Sequence, residues 1–140
     1  MTPAIADPTR PVVRVDITEN EDVVVVRQRA REQGRRAGFS LLEITKLVTA
    51  ASELARNTLE HGGGGHAEIE VVTDGIRRGV RMTFVDEGPG IPDIELALRD
   101  GFTTGGGLGL GLGGSRRLVN EFEIDSAVGR GTRVRVVRWK

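Results

Sequence analysis

The stretch "SELARNTLEHGGGG", residues 52–65, decides the fold, because a long helix is expected to end inside it. Upstream, Leu41, Ile44, Leu47, Val48, Ala51, Leu54, Ala55 and Leu59 recur at three- and four-residue intervals, the period of an amphipathic helix. Ser40 and Glu43 stand in capping-box spacing at its start, and the glycines from Gly62 stop it. Downstream, residues 67–73 and 80–86 read as two strands joined by a turn around Asp74-Gly75. A helix feeding directly into a hairpin is not the alternation of a doubly wound parallel sheet.

Toward the N-terminus, "PVVRVDI" (11–17) predicts a strand and residues 19–37 a helix, with Thr18 and Glu21 in capping-box spacing. Val23, Val26 and Ala30 fall on one face of that helix. Residues 1–10 are rich in Pro, Thr and Asp and are expected to form a flexible leader to a single domain spanning 11–140. Toward the C-terminus follow a short helix over Ile94–Arg99, a glycine-rich loop at 101–111 and a helix near Gly113–Asn120. "EFEIDSAV" and "TRVRVVRW" then make a hairpin about a turn at Gly129–Gly131. The order β-α-α-β-β-(α)-α-β-β predicts an α/β (α+β) protein with a mixed, mainly antiparallel sheet and helices on one face.

Composition narrows the function. Twenty Lys+Arg balance twenty Asp+Glu, so there is no net basic field for non-specific nucleic-acid binding. The absence of cysteine removes disulfides, thiol catalysis and Cys-based zinc sites. No signal-like start and no long apolar run are present, so a soluble, cytoplasmic protein without a membrane partner is expected. Glycine, at 20 of 140 residues, is about twice its average usage and is concentrated in two loops.

Three clusters can carry chemistry. Glu53, Asn57 and His61 follow at i, i+4 and i+8, and each step rotates only about 40° around a helix, so they share a stripe. A carboxylate, an amide oxygen and an imidazole there can serve as base, Mg²⁺ ligand and phosphate contact. The same spacing also fits a solvated helix face, with Arg56 and Glu60 as a surface pair. In "DEGPGIPD" (86–93), Asp86 ends an apolar run and can accept a hydrogen bond from a purine amino group. Gly88 and Gly90 let backbone approach a ligand, although an Asp-Gly turn would look the same. In "TTGGGLGLGLGG" (103–114), consecutive glycines can form an anion-binding concavity beside a helix N-terminus, or simply a flexible linker. Gly109, Gly111 and Gly114 satisfy G-x-G-x-x-G, but no strand precedes them and only a hairpin follows, so a dinucleotide fold is not indicated.

Glu53-x-x-x-Asn57, Asp86-x-Gly88-x-Gly90, the Gly105–Gly111 loop and Gly131-Thr132, in this order, resemble the ATP-binding boxes of the GHKL superfamily. "SELARN", "DEGPGIPD", "DGFTTGGGLGLGL" and "GRGTRVRVVRWK" look more particularly like the RsbT-type serine/threonine kinases of bacterial stress signalling, over about residues 12 to 140. The resemblance implies a two-layer Bergerat-type sandwich and a kinase using ATP and Mg²⁺. It implies Glu53 as the base that takes the acceptor's proton and Asn57 as the Mg²⁺ ligand. It further implies Asp86 on the adenine amino group, Gly88 and Gly90 shaping the pocket, and Thr132 supporting the adenine. Gly105, Gly107, Gly109 and Gly111 would form a lid over the phosphates. The implied substrate is a STAS-domain partner, with a PP2C-type phosphatase or a sigma factor as a further partner. Two positions depart from the pattern: His61 followed by four glycines is closer to the anti-sigma branch, and Leu110 stands where a smaller residue is common.

Overall fold

Helix α2, Leu41–Glu60, begins where its capping chemistry requires. The Ser40 hydroxyl accepts the Glu43 N–H at 3.2 Å and the Glu43 carboxylate accepts the Ser40 N–H at 2.8 Å. Helix α1, Asn20–Arg36, precedes it. Its cap is shifted by one residue from the expected pair: Asp22, not Glu21, accepts the N–H groups of Thr18 and Glu19. The expected Thr18–Glu21 box is thus replaced, because the Asp22 carboxylate reaches both amides and the Thr18 hydroxyl together.

The chain is described by a computed structural model over residues 5–6, 11–99 and 111–140. Among the described residues six strands form one sheet: β1 Ile5–Ala6, β2 Val13–Ile17, β3 Gly65–Asp74, β4 Arg77–Asp86, β5 Glu121–Ala127 and β6 Gly131–Trp139. Its order is β1-β3-β4-β6-β5, with β2 also on β3, and every described pairing is antiparallel. The strands of the central hairpin run longer than expected because ladder hydrogen bonding continues to its tight Asp74–Arg77 turn. Within the first ten residues, Ile5 and Ala6 pair with Thr73 and Val72.

Both long helices cover one face of this sheet. Val23, Val26 and Ala30 of α1 and Leu47, Ala51 and Leu54 of α2 are buried with Val15, Ile17, Ile69, Val71, Met82, Phe84 and Val136 in one apolar core. Strands β2 to β6 contribute alternate residues, as a half-covered sheet demands. On the opposite face Arg81 pairs with Glu70 at 3.0 Å, and a small cluster of Val72, Val137 and Trp139 lies beside that pair. Arg77 stacks over the Trp139 ring at 4.3 Å and the indole N–H donates to Glu121.

Two short helices complete the described chain. Helix α3 is Ile94–Ala97, shorter than expected, capped by the Asp93 carboxylate on the Leu96 N–H at 3.0 Å. Helix α4 is Gly111–Arg117, beginning two residues before the expected start and ending three earlier. The Leu118 N–H closes it on the Ser115 carbonyl. No helix among the described residues is long and apolar enough to cross a membrane.

Candidate nucleotide site

Where α2 ends, β4 also ends, and the two termini meet around a cavity of about 300 Å³. Glu53, Asn57 and His61 all line it, so the expected helix stripe faces a shared space. Asp86 and Thr132 line it from the sheet, Ile91 and Leu96 from the following segment, and Gly111 and Leu112 from the start of α4. Of the expected lid, Gly111 is therefore at the cavity, while Gly105, Gly107 and Gly109 lie outside the described residues.

The Asp86 end is held by close backbone packing. Asp86 is 9% exposed, and its Oδ1 accepts the Gly88 N–H at 3.0 Å. Gly62, the first residue past the α2 C-cap, packs on this carboxylate: a Cβ there would lie 2.3 Å from Asp86 Cγ. Gly90 adopts φ +79° and lies so near the Ala127 carbonyl that a Cβ would approach it to 2.1 Å. The β5–β6 turn is fastened to the same loop by the Gly129 N–H on the Pro89 carbonyl at 2.9 Å.

Asp86, Thr132 and Ser126 form one row across three strands: Asp86 is opposite Thr132, and Thr132 is opposite Ser126. The hydroxyls of Ser126 and Thr132 are 2.8 Å apart, and Ser126 Oγ also accepts the Ile91 N–H at 2.8 Å.

The Glu53 end is built from side chains of α2. Glu53 is 9% exposed and its carboxylate pairs with Arg56 at 2.9 Å. This corrects the expected Arg56–Glu60 pair. Both carboxylates are within helical reach of Arg56, but Glu60 is exposed whereas Glu53 is buried, and a desolvated carboxylate gains more from a cation. The Asn57 carbonyl accepts the N–H groups of His61 and Gly62 at 3.0 and 3.1 Å, ending the helix and leaving its amide side chain at the cavity wall.

The described lining contains four carboxylates, Glu53, Glu60, Asp86 and Asp93, against one guanidinium, that of Arg56. Such a wall accepts a polyanion only with a cation and backbone donors added, which suits a nucleotide carried with a metal ion. Among the described residues no group of three or more His, Cys, Asp or Glu forms a metal cage. Three contributors were not singled out from sequence: Gly62, Arg56 as the partner of Glu53, and Ser126. Counting hairpin register outward from the Gly129 turn places Ser126 opposite Thr132, so that signal was present.

Residues 43–140 match the model of the histidine kinase-, DNA gyrase B- and HSP90-like ATPase family. The chain is 42% identical over 125 residues to serine/threonine-protein kinase RsbT of Bacillus subtilis (strain 168), covering 89% of this chain and 94% of that protein. It is 37% identical over 100 residues to the anti-sigma F factor of Geobacillus stearothermophilus, covering 66% of each. Its fold is like that of the RsbU and RsbW domains of Rv1364c from Mycobacterium tuberculosis, with TM-score 0.64 and 23% identity over 91% of this chain and 31% of that one. Mycobacterial sensor histidine kinase MprB gives TM-score 0.55 and 20% identity over 92% of this chain and 97% of that one. With the sheet, the cavity and these relatives in agreement, the chain belongs to the histidine kinase-, DNA gyrase B- and HSP90-like ATPases and, within them, to the RsbT-type serine/threonine-protein kinases.

Proposed function

We propose that the cavity binds ATP with Mg²⁺ and that the chain transfers the γ-phosphoryl group to a serine or threonine of a STAS-domain partner in a partner-switching pathway of the cytoplasm. The observation that carries this is the convergence of Glu53, Asn57 and Asp86 on one cavity. Asp86 accepts from the adenine amino group, with one oxygen already held by Gly88, and Thr132 supports the same edge of the base. Gly88 and Gly90 shape the loop that lets the ring approach. His61 contacts phosphate, joined by backbone N–H groups of Gly105, Gly107, Gly109 and Gly111.

Asn57 would offer its side-chain oxygen to a Mg²⁺ ion carried with the nucleotide, and the negative end of α2 would favour a cation there. Such an ion would supply neutralising charge to the transferring group. Glu53 takes the proton of the acceptor hydroxyl as that oxygen attacks phosphorus and the bond to the leaving ADP oxygen breaks.

Incubation with Mg-ATP and STAS proteins should give phosphoserine or phosphothreonine, and no phosphorylation of any of them would overturn the substrate class. Glu53→Ala should lower transfer by about 10²–10⁴-fold with nucleotide binding retained. Transfer that persists in that variant would remove Glu53 as the base. Similarity to anti-sigma F factors supports a second reading, an ATP-gated binder of a sigma factor or PP2C-type phosphatase. Affinity for such partners that does not change with ATP would exclude it.

A further inference from the structure

We infer that Ser126 is a positioning residue for purine selection: its hydroxyl holds Thr132 and Ile91 in the places from which they face the base. The inference rests on the proposed role of Asp86 and Thr132 as base contacts and adds a residue that does not itself line the cavity.

Ser126 Oγ joins three elements. It accepts the Ile91 N–H at 2.8 Å, and Ile91 lines the cavity at the end of the loop that begins with Asp86. It is 2.8 Å from Thr132 Oγ1 and 3.1 Å from the Gly131 carbonyl oxygen. A hydroxyl has one proton, and the Gly131 carbonyl can only accept. When Ser126 gives its proton to Gly131, Thr132 must donate to Ser126 and offers only lone pairs to the cavity. When Ser126 donates to Thr132 instead, the Thr132 proton is free to point into the cavity. Ser126 therefore controls whether Thr132 can act as a donor.

That polarity matters for which purine fits. Adenine presents an amino donor and a ring-nitrogen acceptor on one edge, whereas hypoxanthine presents an oxygen acceptor and a ring N–H donor. A row with Asp86 as acceptor and Thr132 as donor, direct or through water, matches adenine and opposes hypoxanthine. Donation along the shorter of the two contacts, 2.8 Å to Thr132 against 3.1 Å to Gly131, produces that row. The in-register placement of Asp86, Thr132 and Ser126 keeps the three groups side by side without any further side chain.

The test is a double-mutant cycle on the full chain, with Mg-ATP and Mg-ITP affinities measured by calorimetry and folding followed by thermal melting. Ser126→Ala should weaken ATP binding by about tenfold and narrow the ATP-to-ITP preference. Ser126→Thr, which keeps the hydroxyl, should restore both. In a Thr132→Val background, Ser126→Ala should add little further loss, because Ser126 acts through Thr132. An unchanged ATP-to-ITP preference in Ser126→Ala, or an equal loss with and without Thr132, overturns the inference. If Thr132→Val leaves the preference unaltered, the base-contact role of Thr132 is what fails. Should Ser126→Ala not fold, Ser126→Cys is read by the same two criteria, since it keeps the volume but weakens the hydrogen bonds.

Discussion

At the Asp86 end of the cavity, position is set by backbone. Gly62, Gly88, Gly90 and the β5–β6 turn press against one another and against the carboxylate at distances that leave no room for a Cβ. At the Glu53 end, position is set by side chains on one helix, with Arg56, 40% exposed, as the partner of Glu53. On the proposed function, the tightly packed Asp86 end would receive the flat purine ring and the Glu53 end, built from side chains, would receive the protein hydroxyl. The difference separates what a substitution will do: changes at the Asp86 end should fall on nucleotide affinity, and changes at the Glu53 end on turnover.

Three substitutions test that division, beyond the Glu53 and Ser126 variants. The largest effect is expected for Asp86→Ala, which should weaken ATP binding about 100-fold with native circular dichroism, as loss of a charged hydrogen-bond partner does. Unchanged affinity would break the comparison at its firmer end. Gly62→Ala comes next and sharpens it, because Gly62 lies just beyond the C-cap of α2 yet packs on the Asp86 carboxylate. Its new methyl must displace Asp86, costing about 1–3 kcal/mol of stability in urea unfolding and lowering ATP affinity. If Gly62→Ala slows transfer but spares affinity, the two ends are not separate.

Ser40→Ala, at the far end of α2, should affect neither end and cost only about 1 kcal/mol of stability. The capping box also has a pH signature, carried by Glu43. The Ser40 backbone N–H, donated to the Glu43 carboxylate, is the main cause that holds this carboxyl below its ordinary value. A carboxyl depressed by folding stabilises above its unfolded titration range and stops doing so as pH falls through its folded value. Glu43→Gln should therefore flatten the acid side of the stability profile, and a profile identical to the parent's would remove this contribution.

What sequence could reveal follows the same division. The Glu53–Asn57–His61 stripe and the Ser40–Glu43 box were legible because helix geometry relates residues three and four apart. Arg56 had carboxylates on both sides in sequence, and only burial of Glu53 selects between them. The Asp86–Thr132–Ser126 row joins three strands and residues up to 46 positions apart, so it exists only once the register is known. Gly62 reads as a helix stop, and its second task, making space for Asp86, depends on a strand that ends 24 positions later. Two boundaries, at α3 and α4, flank residues 100–110, where glycines carry little periodic signal.

Trp139 gives these experiments a built-in optical reporter. It is the only tryptophan in the chain, 6% exposed on the sheet face away from the helices, with its indole N–H on Glu121 and Arg77 over its ring. It does not line the cavity. Its emission should stay constant as nucleotide is titrated and shift to the red only when the sheet unfolds. One fluorescence trace can then certify that a variant with lost affinity is still folded, with no added label.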